Sequence, residues 1–395
     1  MDIKRKPDEA YFPYKERLVV AKLEGEIDLD WSDIVELLGD GTHPDTLRKA
    51  AYGIYEAYKY RLESSLDISS QDVLEQLEAK KIEIQKERYK LFDQRNALNK
   101  IIREKMSRKE EVNEIIKECV ASNNLPEFKP VVLEEKKYKA KTMLVSLNDI
   151  HYGQNIENSW NVYNPEVCED RFSEYAAKIV EIQEKENVEE CVVWGNGDFI
   201  SGNIHNEISV TNKENVIQQV IQVSELISGF LYFLSKHFKK IRFVSVAGNH
   251  SRISKKEDAL KDERLDDIIE WFLKARLQNL KNISFDGYDK IDTTMYIVNI
   301  QGLNFIGVHG DYDNLDNGVN RLISMVDRPI YGILTGHLHH NRIDTIQGVK
   351  TIMGGSFLGM DSFCIEKRIY GKPEQLVCIV DNEGLECSYN IEFKK

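Results

Sequence analysis

The six cysteines, Cys119, Cys168, Cys191, Cys364, Cys378 and Cys387, contain no Cys-x-x-Cys pair and no tight framework spacing. A disulfide scaffold is therefore not expected, and reduced thiols in a cytoplasm fit best. No apolar run follows the opening Met1-Asp2-Ile3-Lys4-Arg5-Lys6-Pro7, and no window approaches the apolar length of a membrane span, so the expectation is a cytosolic protein with no membrane partner. There is no internal repeat and no low-complexity tract. Cations are in deficit: 53 Lys and Arg face 66 Asp and Glu, a net charge of -13. That argues against a protein that coats nucleic acid over its whole surface but leaves room for a local basic patch. At 395 residues, 42% hydrophobic and 30% charged, the chain has the composition of a globular protein with one catalytic domain and a smaller unit.

Residues 1–69 read as a helical, helix-turn-helix-like unit. A short helix with Ser32 as N-cap carries Ile34, Val35, Leu37 and Leu38; Gly39-Asp40-Gly41 makes a turn; a second helix opens near Pro44. The second helix mixes Arg48, Lys49, Lys59 and Arg61 with Tyr52, Tyr55, Tyr58 and Tyr60, which suits nucleic acid and equally suits a small helical packing unit. Residues 70–122 hold no Gly or Pro between Gln71 and Val120, which predicts one or two long helices. Leu77, Ile84, Leu91 and Leu98 recur every seventh residue, but the companion positions hold Lys80, Glu87 and Gln94, so the stripe is narrow for a coiled coil and a homo-oligomer through this helix is the weaker expectation. Residues 123–140, with Pro126, Pro130 and a charged run, read as a linker. From 141 to 395 the texture becomes β-rich apolar runs (Met143 to Leu147, Cys191 to Trp194, Ile241 to Val246, Phe305 to Val308, Ile330 to Leu334) alternating with helical segments, an α/β signature.

Each of those runs ends in a polar, glycine-bearing cluster, and α/β sheets place their chemistry at strand ends. In order these are Asn148-Asp149-Ile150-His151-Tyr152-Gly153, Gly195-Asn196-Gly197-Asp198, Ala247-Gly248-Asn249-His250, Gly307-Val308-His309-Gly310-Asp311 and Thr335-Gly336-His337-Leu338-His339. A single Asp or His after a strand is most often a hydrogen-bonded turn residue. Five such clusters in order, holding five of the nine histidines, point instead to metal. Imidazole nitrogens with carboxylate and amide oxygens suit manganese, iron or zinc. A shared carboxylate can hold two such ions roughly 3.5–4 Å apart, a pair suited to cleaving phosphate esters.

Asp-x-His, Gly-Asp, Gly-Asn-His, His and Gly-His-x-His in this order resemble the calcineurin-like metallophosphoesterase superfamily, over about Lys141 to Lys395. The resemblance implies a two-sheet β-sandwich flanked by helices. It implies that Asp149, His151 and His339 bind one divalent ion and Asn249, His309 and His337 the other, with Asp198 bridging them and a bridging hydroxide attacking phosphorus. Mn2+ is the first expectation, Fe2+ or Zn2+ the alternatives. His250 is placed as the outer-sphere residue that protonates the leaving oxygen.

The family usually follows Gly-Asn-His with an acid, whereas Ser251 and Arg252 stand here. That leaves open what orients His250. Arg252 is a candidate phosphate contact or an ordinary ion pair. Asn203 and His205, just beyond Asp198, are candidate substrate contacts against a helix-capping role, and His340, which follows the last cluster, is expected to point away. Gly354 to Phe357 with Ser362 and Phe363 is a candidate surface for a base or sugar, against plain loop packing.

The catalytic half looks like the DNA repair exonuclease branch and like phosphoesterases encoded by bacteriophages, so a DNA nuclease is the leading expectation, in a bacterial cell or a phage host. The basic residues Lys100, Arg103, Lys105, Arg108 and Lys109 add a second candidate surface for phosphate. The alternatives are a phosphodiesterase or phosphatase acting on a cyclic nucleotide, a nucleotide, a phosphoprotein or another small phosphoester, and an inert DNA-binding or scaffold protein. Loss of catalysis usually deletes ligands, and none is missing here.

Overall fold

The computed structural model describes residues 3–65, 71–121, 127–130, 140–204, 210–313, 315–368 and 370–394. They divide into two compact units, one ending at Leu98 and the other beginning at Asn99.

The first unit is helical: α1 (Tyr11–Glu24), α2 (Trp31–Leu38) and α3 (Pro44–Ser65), followed by the start of α4 (Gln71–Ala121). Tyr14, Leu18, Val19, Ile34, Leu38, Leu47 and Ala51 close a small core of their own. The α2 cap differs from the expected Ser32: it is Asp30, two residues earlier, because the Asp33 carboxylate reaches back to accept the Asp30 N–H at 2.8 Å. Gly39, at φ 62, ends α2 in the left-handed conformation that a residue without Cβ adopts freely. α4 is one continuous helix of 51 residues on which Ile84, Leu91 and Leu98 are exposed; the Leu77 side chain lies outside the described residues.

The second unit is built on two six-stranded sheets. The first has the order β14 (Leu385–Glu392), β13 (Glu374–Val380), β1 (Thr142–Ser146), β4 (Glu190–Gly195), β5 (Lys240–Ser245), β6 (Ile283–Ser284). Here β1, β4, β5 and β6 run parallel, and β13 and β14 are antiparallel additions. The crossovers between the parallel strands are α5 (Pro165–Glu186) and α6 (Val216–Ser235), while α7 (Leu265–Arg276) precedes β6. The second sheet has the order β11 (Arg342–Ile346), β12 (Val349–Met353), β10 (Gly332–Thr335), β9 (Leu303–Val308), β8 (Met295–Ile300), β7 (Tyr288–Asp292), and α8 (Leu315–Ser324) covers it. A small hairpin, β2 (Ile156–Glu157) with β3 (Val162–Tyr163), precedes α5, and α9 (Ser362–Lys367) precedes β13.

Strand periodicity of two sorts the side chains into layers. Leu144, Val192 and Trp194 face Tyr296, Val298, Phe305, Leu334 and Ile352 between the sheets. Their neighbours Met143, Val145, Cys191 and Val193 pack on α5, α6 and α7, and Ile297, Ile306 and Ile333 pack on α8. The result is the helix-flanked two-sheet sandwich that the resemblance implies. Each large side chain buried in these layers contributes about 1.5–3 kcal/mol.

Two observations differ from the sequence reading. α6 is long and apolar enough to cross a membrane by length and composition, where no such window was expected. It is wrapped by the first sheet and by α5 and α7, which is why almost every side of it is apolar. Secondly, most of the expected linker lies outside the described residues, but Phe128 within it is buried, stacks on Tyr232 with ring centroids 4.5 Å apart, and receives the Arg276 guanidinium at 4.2 Å. Val112, Ile116 and Cys119 at the end of α4 join the same core.

Candidate metal centre

Parallel strands end on the same edge of a sheet. β1, β4 and β5 therefore deliver Asp149 and His151, Asp198, and Asn249 and His250 to one edge of the first sheet, and the parallel pair β9 and β10 delivers His309, His337 and His339 from the second. The β1–β4 pairing continues past both strands: the N–H groups of Leu147, Asp149 and His151 donate to the carbonyls of Trp194, Gly197 and Asp198 at 3.0–3.1 Å.

The backbone then bends sharply. Nine described non-glycine residues have left-handed φ, and five of them are Asp149, His151, Asp198, His337 and His339, at φ 50–70°. Asp and His tolerate this region better than most residues, yet each instance costs on the order of 1 kcal/mol or more. The strain turns consecutive side chains toward one point.

Seven side chains meet there in two groups that share one oxygen. In the first, His151 Nε2 lies 3.1 Å from His339 Nε2, and these atoms are 3.9 and 3.5 Å from Asp149 Oδ1. In the second, His309 Nε2 lies 3.1 Å from Asn249 Oδ1 and 3.2 Å from His337 Nδ1. Asp198 Oδ2 borders both, 3.2 Å from His309 Nε2 and 3.9 Å from His151 Nε2. Asp149, His151, Asp198 and His309 are essentially inaccessible.

Hydrogen bonding alone does not account for this packing. His309 gives its Nδ1 hydrogen to the Asn196 carbonyl at 2.5 Å, so its Nε2 faces an amide oxygen, a carboxylate oxygen and an imidazole nitrogen with one proton at most to share among them. Asp149 Oδ1 is buried without a hydrogen-bond partner. Each carboxylate is also divided in the same way: Asp149 Oδ2 accepts the His337 N–H at 2.9 Å and Asp198 Oδ1 the His250 N–H at 2.7 Å, which leaves Asp149 Oδ1 and Asp198 Oδ2 turned into the cluster. Lone pairs that converge in this way fit divalent metal: Asp149, His151 and His339, then His151, Asp198 and His250, then Asp198, His309 and His337 each bring three donor atoms close enough to hold an ion.

The charges in the chain alone show how tightly these groups interact. Burial holds His151 well below the usual imidazole range, and the neighbouring His250 adds to this. Burial would also lower His309, but Asp198 lifts it to about 10. Burial would raise Asp198, but His309, His250 and His151 draw it well below the usual carboxylate range.

His250 sits at the rim, its ring centroid 4.6 Å from that of His151. Its Nδ1 hydrogen goes to the Ser201 carbonyl at 2.8 Å. A backbone carbonyl thus orients this ring, which the residues after Gly-Asn-His left open. Ser251 donates its hydroxyl to the Gly248 carbonyl at 2.8 Å. Arg252 is 6% exposed, and its Nε turns back to the Asn249 carbonyl at 2.7 Å, bracing the turn that presents Asn249.

The remaining candidates fall in various places. Asn203 is exposed, and His205 lies outside the described residues. His340 is exposed with Nδ1 on the Leu338 carbonyl. The Gly354–Phe357 loop offers no stacking surface: Phe357 is fully buried against Phe172 and Phe393, and the Ser356 hydroxyl donates to the Asp149 carbonyl. Ser362 opens α9, and the Phe363 side chain lies outside the described residues.

Several supporting residues escaped sequence reasoning. Asn196 donates from Nδ2 to the carbonyls of Val308 and Leu334, tying the ends of β9 and β10 to the β4 loop. Gln375 on β13 holds Asn148 and Gly355. Asp266 on α7 accepts the N–H groups of Asp198 and Gly248. Asn196 stood between two glycines in a quoted cluster; Gln375 and Asp266 carried no local signal.

Two stacked sheets flanked by helices are the architecture that the motif order implied. No family model matches the chain. Among curated proteins it is 28% identical over 380 residues to the SPbeta prophage-derived uncharacterized protein YonJ of Bacillus subtilis (strain 168), covering 91% of this chain and 90% of that one. Among solved structures, it is similar to an archaeal phosphodiesterase at 15% identity (64% of this chain, 99% of that one, TM-score 0.33). It is similar to zinc-complexed Vps29 of Entamoeba histolytica at 12% identity (64% and 99%, TM-score 0.31). Similarities to structures this distant carry no chemistry over to this chain.

Proposed function

We propose that the chain is a phosphodiesterase that uses two divalent ions, Mn2+ first among them, and that its substrate is DNA. The observation that carries the reading is the pair of donor groups meeting at Asp198 Oδ2. Asp149, His151 and His339 would hold one ion, Asn249, His309 and His337 the other, with Asp198 between them. The ions supply Lewis acid charge for the phosphoryl oxygens and an activated water. His250, with Nδ1 fixed on the Ser201 carbonyl, would give a proton to the leaving oxygen.

DNA as substrate is supported by α3, which exposes Lys49, Tyr52 and Tyr60 in the helical unit, and by the similarity to a prophage-derived protein along nearly the whole chain. Asn203, exposed beyond Asp198, is the substrate contact we favour. A phage-encoded enzyme working in a bacterial cytoplasm agrees with six free cysteines. The exposed row Ile84, Leu91 and Leu98 would accept a second copy of the helix, which sedimentation of Leu91→Asp beside the parent chain tests.

A second reading, a nucleotide or other small phosphoester as substrate, is favoured by the fate of the basic stretch on α4. Lys105 and Arg108 are paired with Glu181 and Glu184 of α5 at 2.8 and 2.7 Å, and Lys100 approaches Glu104 at 3.9 Å. The deciding experiment is Mn2+-dependent cleavage of labelled single- and double-stranded DNA beside bis-p-nitrophenyl phosphate. Cleavage of DNA supports the nuclease; hydrolysis of the small diester alone moves the substrate to a small phosphoester; neither, with Mn2+ bound, overturns the catalytic reading.

A further inference from the structure

Asp266 lies at the second position of α7 and is 3% exposed. The other acids of this helix face cations: Asp267 binds Lys290, and Glu270 binds Lys274 and Lys290. Asp266 has no such partner among the described residues. Its Oδ2 accepts two backbone N–H groups, that of Asp198 at 3.1 Å and that of Gly248 at 2.9 Å. The first belongs to the residue shared by both donor groups, and the second precedes the ligand Asn249.

These two loops touch backbone to backbone. A Cβ on Gly248 would lie 2.2 Å from Asp198 Oδ1, and one on Gly197, at φ 87, would lie 2.2 Å from the Gly248 nitrogen. Asp198 itself is held left-handed at φ 53, so its N–H is turned out of the strand ladder and needs another acceptor. Asp266 supplies that acceptor. The arrangement then passes inward: Asp198 Oδ1 takes the His250 N–H, and only Oδ2 is left for the two donor groups. At position 251, where the resemblance expects an acid, Ser251 merely closes its own turn on Gly248.

We propose that Asp266 is the positioning residue of the metal centre, a carboxylate from α7 that locks the Asp198 and Gly248 loops together so that Asp198 can bridge two ions. The proposal rests on the two-metal reading above. It places a determinant of metal binding 68 residues from Asp198 in sequence. Supporting groups of this kind commonly change metal affinity by roughly 10–100-fold.

The test compares Asp266→Ala, which removes the acceptor, with Asp266→Asn, which keeps a carbonyl oxygen for both N–H groups. Mn2+ affinity and stoichiometry are read by calorimetry, and magnetic coupling between two Mn2+ ions by electron paramagnetic resonance. The expected result is a roughly 10–100-fold weaker second site and loss of the coupled signal in Asp266→Ala, with both restored in Asp266→Asn. A folded Asp266→Ala chain that binds two coupled Mn2+ ions with unchanged affinity overturns the proposal. If Asp266→Ala does not fold, amide hydrogen exchange in the parent chain decides: slow exchange at Asp198 and Gly248 is expected, and fast exchange at either overturns it. A parent chain that binds no coupled Mn2+ pair would instead overturn the two-metal reading, whatever the variants do.

Discussion

The carbonyl oxygen of Ser201 accepts the Nδ1 hydrogen of His250 at 2.8 Å, while the His250 backbone N–H donates to Asp198 Oδ1. One residue is thereby tied to the β4 loop twice, once through its ring and once through its main chain. A backbone carbonyl thus helps to aim the ring.

His250→Ala is expected to retain two Mn2+ ions and to lose roughly 10²–10⁴-fold in turnover. The loss should be greatest for substrates with poor leaving groups. Calorimetric metal counts beside kcat for a series of aryl diesters check this, and a variant that loses metal would show His250 to be a ligand.

Gly202→Ala tests the same ring through the backbone. Gly202 has φ 69, and a Cβ there would lie 2.2 Å from the His250 carbonyl oxygen. The left-handed conformation costs about 1–2 kcal/mol with a side chain, and the clash pushes the His250 turn outward. We expect a lower thermal midpoint together with a loss of turnover, at unchanged metal stoichiometry.

His237, remote in sequence from the ligand blocks, gives the chain a pH dependence of its own. Burial first, then Arg108, lowers it from 6.5 to about 4, and its Nε2 is buried without a partner. In the unfolded chain this imidazole takes a proton below about 6.5 and in the folded chain only below about 4, so stability falls as pH drops through that window. His237→Phe, with a ring of similar size in the place where the imidazole lies tilted against Phe233, is expected to match the parent at pH 7 and to exceed it by about 2 kcal/mol near pH 4.5. Urea midpoints at both pH values test it; equal losses in both proteins would remove His237 as the cause.

Truncation distinguishes the helical unit from the core. Removing residues up to 98 is expected to spare hydrolysis of a small diester and to weaken DNA binding and its salt dependence. Removing residues up to 140 also strips Val112, Ile116, Cys119 and Phe128 from the core of the second unit, and losing several buried side chains at about 1.5–3 kcal/mol each should leave it insoluble or unfolded. Equal losses on DNA and diester in the shorter truncation would deny the helical unit a part in DNA binding.

The donor clusters are legible because each is local. A strand that ends in Asp-x-His or Gly-Asn-His needs turn-forming residues and donor atoms within four positions, and Asp, Asn and His are also the side chains that best accept the left-handed φ found at Asp149, His151, Asp198, His337 and His339. The heptad row on α4 is legible for the same reason, since i and i+7 lie on one helix face. Phe357 and Arg252 were not legible. Whether an aromatic ring stacks on a substrate or on Phe172, and whether a guanidinium meets phosphate or its own turn, depends on neighbours that arrive from elsewhere.

Residue order by itself determined the α/β texture, the five ordered donor clusters and the helical front, because hydrophobic period and turn chemistry act over a few residues. Only the tertiary structure decided that two sheets stack so that Asp198 Oδ2 borders both donor groups, that Asn196 ties β9 and β10 to the β4 loop, and that Asp266 rather than a residue at 251 fastens the Asp198 loop. These contacts join residues dozens to more than a hundred positions apart. Their geometry is set by buried packing between the sheets and by the need of buried N–H and carboxylate groups for partners, neither of which leaves a periodic mark in the chain.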